Sequence, residues 1–142
     1  MARLLEEIRQ QPAVLGRVLR EERGPVRAVC AALAERQIDQ VLIAARGTSD
    51  NAARYAKYLL GSRNGLPVAL AAPSLYTIYE RSPRLRNTLV IGISQSGMSP
   101  DLVAVIEDAR AQRMPTLAIT NAPESDLTRA AEHLLRCHAG EE

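Results

Sequence analysis

Apolar positions along this chain change their period near residue 40. Before that point they return to one face of a helix: Leu4, Leu5 and Ile8, then Val14, Leu15, Val18 and Leu19, then Val26, Val29, Cys30, Leu33 and Ala34. Pro12 suits a first helical position, and the Gly24-Pro25 pair reads as a break. Three helical stretches are therefore expected, serving either as a cap over one sheet face or as a dimerisation arm. From Gln40 onward, short runs rich in Val, Ile and Leu alternate with helical patterns. Strands are expected near 40–45, 67–72, 88–94, 115–120 and 133–137, and helices near 49–63, 74–81, 100–113 and 124–131. Pro67 and Pro115 each open a strand, where a missing N–H costs least. Such alternation makes βαβ units with right-handed crossovers and a parallel sheet. Five strands with flanking helices give an α/β fold, a three-layer αβα sandwich of flavodoxin-like order 2-1-3-4-5. Residues 1–38 are read as an N-terminal helical extension and residues 39–142 as the α/β domain.

The third strand pattern ends abruptly. In TLVIGISQSGMSPD (88–101) an apolar run empties into Ser94-Gln95-Ser96-Gly97, and a helix follows. The first strand ends the same way, with Arg46-Gly47-Thr48-Ser49-Asp50-Asn51-Ala52 after Val41–Ala45. Ser, Thr and Asn are also ordinary helix caps, so either loop alone is ambiguous. In the order 2-1-3-4-5, however, strands one and three are neighbours at the switch point, and the two loops converge on one crevice. A helix start there offers unpaired N–H groups and the positive end of its dipole, with Ser94, Gln95, Ser96 and Ser99 to complete an anion's shell. Thr120-Asn121-Ala122-Pro123 closes strand four, either as a third wall or as a plain turn.

Composition narrows the ligand. There is no Phe or Trp and only four Tyr, which disfavours base stacking on aromatic platforms. The net charge is +2 and the Arg are scattered, so no basic stripe supports a nucleic-acid partner. Cys30 and Cys137 lack metal or redox spacing and read as buried packing residues. His133 and His138 have no ligand partner at zinc spacing, so no metal or cofactor is expected. No apolar run is long enough to span a membrane and no signal peptide opens the chain, which reads as cytoplasmic.

Nucleotide signatures fit poorly. Gly92 to Ser99 has the glycine spacing of a Walker A loop, but Met98 stands where the phosphate-binding Lys belongs, and Gly92 lies within a strand pattern. No G-x-G-x-x-G follows the first strand. Ser96 has no His with an orienting acid, which weakens a hydrolytic triad. A neutral, hydroxyl-rich cradle for one phosphate on a small polar ligand remains, and a sugar phosphate fits it.

The order ARGTSDNA (45–52), ISQSGMSPD (93–101) and AITNAPES (118–125) resembles the sugar isomerase (SIS) domain. More narrowly it is similar to the first SIS domain in the isomerase half of glutamine–fructose-6-phosphate transaminases and of related amino-sugar phosphate deaminases. The likeness covers nearly the whole chain, including the helical lead-in from Glu7 to Pro12. The resemblance implies phosphate ligands at Ser94, Gln95, Ser96 and Ser99, the last usually Thr in the transaminases. It implies sugar contacts along Gly47, Thr48 and Ser49. Asp101 is read as a first-turn charge favouring the helix dipole rather than as a catalytic acid.

In that family two SIS domains lie in tandem, and the acid–base residues belong to the second. The segment Ala139-Gly140-Glu141-Glu142 leads there into a stretch ending Val-Ala-x-Thr-Lys that wraps the sugar. The resemblance thus implies a piece of a longer protein; because Met1 opens directly on the helical lead-in, no glutaminase domain is expected ahead of it. Proton transfer between C1 and C2 needs a base, and no His or Lys stands near the loops, so no catalytic residue is assigned; spacing gives no reason to choose Arg46 or Glu80. What is implied is half a site, for fructose 6-phosphate or glucosamine 6-phosphate, in an isomerase, aminotransferase or deaminase. The alternative is a non-catalytic sugar-phosphate sensor. SIS enzymes are commonly dimers, so a homodimer is expected.

Overall fold

The computed structural model describes residues 2–140. Two helices lead in, α1 (Ala2–Glu21) and α2 (Arg23–Ala34). Helix α1 runs unbroken through Pro12, contrary to the expected start there. Pro12 forfeits one bond to the carbonyl of residue 8. Both positions are exposed, so the freed carbonyl is open to solvent, and strong helix formers lie on either side. The turn also falls earlier than the Gly24-Pro25 pair suggested. It is centred on Glu22, whose N–H still bonds the Val18 carbonyl at 2.9 Å while its carbonyl accepts from Val26 at 2.8 Å. Gly24 and Pro25 lie in the first turn of α2, where a missing N–H goes unnoticed.

Five strands follow, β1 (Gln40–Ala45), β2 (Val68–Leu70), β3 (Thr88–Ile93), β4 (Thr116–Thr120) and β5 (His133–Arg136), interleaved with α3 (Thr48–Asn64), α4 (Ser74–Thr77), α5 (Pro100–Ala111) and α6 (Asp126–Ala130). Every pairing is parallel, and the order is β2-β1-β3-β4-β5. The edge strand β2 has three residues instead of six, since it pairs only with β1. Helix α4 also stops early: Glu80 adopts a left-handed φ of 48°, and the Arg81 N–H reaches back to the Leu75 carbonyl at 2.8 Å.

The strands sort their side chains by parity. Ala44, Val90 and Ala118 face α5 and α6, packing on Leu102, Val105, Ile106, Ala109 and Leu127. Val41, Ile43, Leu89, Ile91 and Leu117 face α2 and α3, packing on Val29 and Ala53. Both faces of the central strands are therefore buried, as a parallel sheet requires. Cys30 departs from expectation: it lies on the exposed side of α2, while Cys137 is half-buried. The stripe on α2 that meets the sheet is carried by Val29 and Leu33 instead.

Strands β1 and β3 pair from Gln40↔Thr88 through Ala45↔Ile93 without slippage. Their two exit loops consequently begin at the same level, side by side at the carboxyl edge.

Candidate functional site

After Ala45 the chain turns through Gly47, at φ 56° and ψ −130°, a backbone region that a Cβ excludes. This turn lets α3 start at once, so Thr48 and Ser49 occupy its first two positions. The Ser49 and Asp50 N–H groups bond the Arg46 and Gly47 carbonyls, each at 3.2 Å. No partner engages either hydroxyl among the described residues.

The second loop is built more tightly. Ser94 is buried and its hydroxyl oxygen accepts the Gly97 N–H at 3.1 Å, which curls the loop on itself. Ser96 is exposed and its Oγ accepts from Met98 at 3.4 Å. Gln95 is exposed, with its side chain unengaged. Ser99 is the N-cap of α5, yet its hydroxyl makes no capping bond and has no partner among the described residues. Among the described residues the N–H groups of Gln95, Ser96, Ser99 and Asp101 also have no partner. A group of unpaired donors at the start of a helix, beside free hydroxyls, is suited to an anion.

What supports this loop from behind was not legible as function in the sequence. The Ser94 N–H bonds the Ile119 carbonyl at 3.1 Å, and the Gln95 carbonyl accepts from both Thr120 Oγ1 and the Asn121 N–H at 3.1 Å. Gly97 has φ 64°, and its carbonyl accepts from Leu127 at 3.0 Å. A Cβ there would lie 2.0 Å from Ser125 Oγ. Ser125 is itself the N-cap of α6, its hydroxyl facing the Thr128 N–H. The segment after β4 is a turn into α6 that also braces the second loop from behind. Its small residues allow the Ser94–Ser99 loop to lie directly against it.

Two further contacts join parts that sequence separation hides. Arg46 Nη1 donates to Asp101 Oδ2 at 2.9 Å, linking the exit of β1 to the first turn of α5. Beyond β5, His138 is held between Glu21 and Glu22, with Nε2 2.6 Å from Glu22 Oε1 and Nδ1 3.3 Å from Glu21 Oε2. Asn121 clasps the same outgoing strand end, accepting from the Ala139 N–H at 2.8 Å and donating to the Gly140 carbonyl at 2.6 Å. Glu141 and Glu142 lie outside the described residues. Glu80 is exposed beyond α4 and takes no part in the contacts of the two loops. Among the described residues no group of His, Cys, Asp and Glu forms a metal site, and no helix is long and apolar enough to cross a membrane.

A doubly wound parallel sheet with an anion-ready crevice at its switch point defines a ligand-binding α/β domain. The SIS domain profile matches residues 36–142, and the chain belongs to this family. It is 39% identical over 144 residues to glutamine–fructose-6-phosphate aminotransferase (isomerizing) of Thermus thermophilus, covering 98% of this chain and 23% of that protein. The corresponding enzyme of Halobacterium salinarum is 36% identical over 148 residues, covering 98% of this chain and 24% of that one. The chain therefore spans about a quarter of the length of these relatives. Among solved structures, a protein described as a phosphosugar isomerase from Silicibacter pomeroyi superposes with a TM-score of 0.92 at 36% identity, over 96% of this chain and 42% of that one. The C-terminal domain of glucosamine-fructose-6-phosphate aminotransferase from Francisella tularensis gives 0.79 at 29% identity, over 98% and 40%.

Proposed function

We propose that this chain binds the phosphate of a hexose 6-phosphate or amino-hexose 6-phosphate on the Ser94–Ser99 loop. The observation that carries the reading is the set of unpaired N–H groups at Gln95, Ser96, Ser99 and Asp101, beside the free hydroxyl of Ser99. Ser96 and the Gln95 amide complete the shell, and Ser94 can donate its proton while its oxygen holds the loop. The Gly47–Ser49 turn lies level with this cradle through the β1–β3 register, so Thr48 and Ser49 face the sugar hydroxyls. Resemblance to the aminotransferases makes fructose 6-phosphate and glucosamine 6-phosphate the substrates of choice.

On this reading the domain supplies the binding half of a site in a larger isomerase, aminotransferase or deaminase. The phosphate is held and the sugar oriented here, and the proton is moved by groups outside the described residues. A phosphorylated sugar does not cross a membrane unaided, which sets the chain in the cytoplasm. The exposed apolar face of α1 supports a homodimer.

Calorimetric titration with fructose 6-phosphate and glucosamine 6-phosphate tests the reading. Millimolar or tighter binding is expected, weakened about tenfold by Ser96→Ala, in line with loss of a hydrogen bond to a charged group. Binding untouched by changes at both Ser94 and Ser96 would sink it.

A further inference from the structure

Arg46 and Asp101 stand at the crevice without a role in holding a sugar phosphate. Asp101 occupies the first turn of α5, beside the unpaired N–H groups, and its own N–H is one of them. One carboxylate oxygen takes the Arg46 guanidinium; the other is buried and has no donor. In an empty site this negative charge suits the helix start. An incoming phosphate meets the same charge as a competitor, since like charges oppose each other strongly where water is partly excluded. A counter-charge lowers the cost of holding two anions at one helix end.

Arg46 is placed to be that counter-charge. Its side chain is 67% exposed against 20% for Asp101, so the guanidinium closes over the carboxylate from the solvent side. Its one partner among the described residues is the Asp101 carboxylate, so its charge is spent on neutralising that group. The pair also spans the crevice, from the last residue before Gly47 to the helix that begins at Pro100.

We propose that Arg46 is the counter-ion that allows an anionic ligand to bind at the start of α5 alongside Asp101. The proposal rests on the phosphate-binding reading above. Arg46 is a positioning residue here: its effect runs through Asp101, and removing the aspartate charge removes the need for it.

The test is a double-substitution cycle on the 142-residue chain, titrated with fructose 6-phosphate and with inorganic sulfate. Arg46→Ala is expected to weaken both about tenfold, as an uncompensated carboxylate at short range would. Arg46→Lys keeps the charge and stays within about threefold of the parent, and Asp101→Asn alone does likewise. The decisive member is Arg46→Ala with Asp101→Asn, expected to regain the parent affinity to within about threefold. Thermal midpoints of all variants without ligand establish that each is folded; where Arg46→Ala does not fold, Arg46→Gln takes its place in the cycle. If the double variant binds as weakly as Arg46→Ala, Arg46 is a direct ligand and the counter-ion role is overturned. It is overturned equally if Arg46→Ala binds like the parent. Failure of the parent to bind either probe defeats the phosphate-binding reading, and this inference falls with it; failure of the rescue alone leaves that reading standing.

Discussion

At position 97 any side chain would collide with the N-cap of α6. The added Cβ would sit 2.4 Å from Ser125 Cβ and 3.2 Å from Thr120 Oγ1, in a backbone already at φ 64°. Ser125 is 3% exposed and bonded to Thr128, so it has no free rotamer to move into without uncapping the helix. Gly97→Ala is therefore expected to lower stability by about 2 kcal/mol or more, through overpacking and left-handed strain together. Because the Ser94 hydroxyl is tied to the Gly97 N–H, the same change should loosen the loop and reduce sulfate binding. Thermal unfolding with and without sulfate checks both, and an unchanged midpoint would show that the loop lifts away from Ser125 freely. The hydroxyls around this glycine stood out as candidate anion ligands from their types alone. The tight fit against Ser125 was not, because 28 positions separate the two and only the β3–β4 pairing brings their loops together.

Among the elements, α2 and the end of β5 carry the two thiols into different surroundings. Cys30 is exposed on α2, at the rim of its groove with α3. Burial, and after it the charge of Glu22, pushes the Cys137 thiol above its ordinary value. A raised folded value disfavours the thiolate. Near pH 8.5, about the ordinary thiol value, Cys30 should react quickly with a disulfide reagent and Cys137 slowly until the chain unfolds. Cys30→Ser should abolish the fast phase; two equally fast thiols would contradict the placement. The sign for stability follows: the neutral Cys137 contributes fully below the ordinary thiol value, and that contribution is lost as pH rises through the raised one. The elements themselves were largely visible in advance. Apolar-run signals located all five strands, because the central strands are buried on both faces and are rich in Val, Ile, Leu and Ala. The helical lead-in was misread at Pro12 and at Gly24-Pro25, where local propensity was outweighed by water on an exposed helix and by the permissive first turn.

Taken as a whole, the molecule leaves much apolar surface unpaired. Leu4, Leu5, Ile8, Leu15 and Leu19 are all at least about half exposed on α1, while Val14 is half-buried. A groove between α2 and α3, lined by Val26, Cys30, Leu33, Leu60 and Leu66, opens onto Leu89 of the sheet. Surface of this kind is commonly an interface. Light scattering should find self-association of the isolated chain; a clean monomer over a wide concentration range would count against it. Coupled assays for isomerisation and deamination of hexose 6-phosphates should read near background, since Glu80 lines a separate hollow with Tyr76 and Asp108 and Asp101 is committed to Arg46. Robust turnover would force a search for a base among Glu80, Asp101 and Glu142. Asn121 has a mechanical consequence of its own. Its backbone supports the Gln95 carbonyl, and its side chain grips Ala139 and Gly140. A pull on the chain at Gly140 would therefore reach the backbone beneath Gln95 through Asn121, sharing the load with the His138 clamp on Glu21 and Glu22.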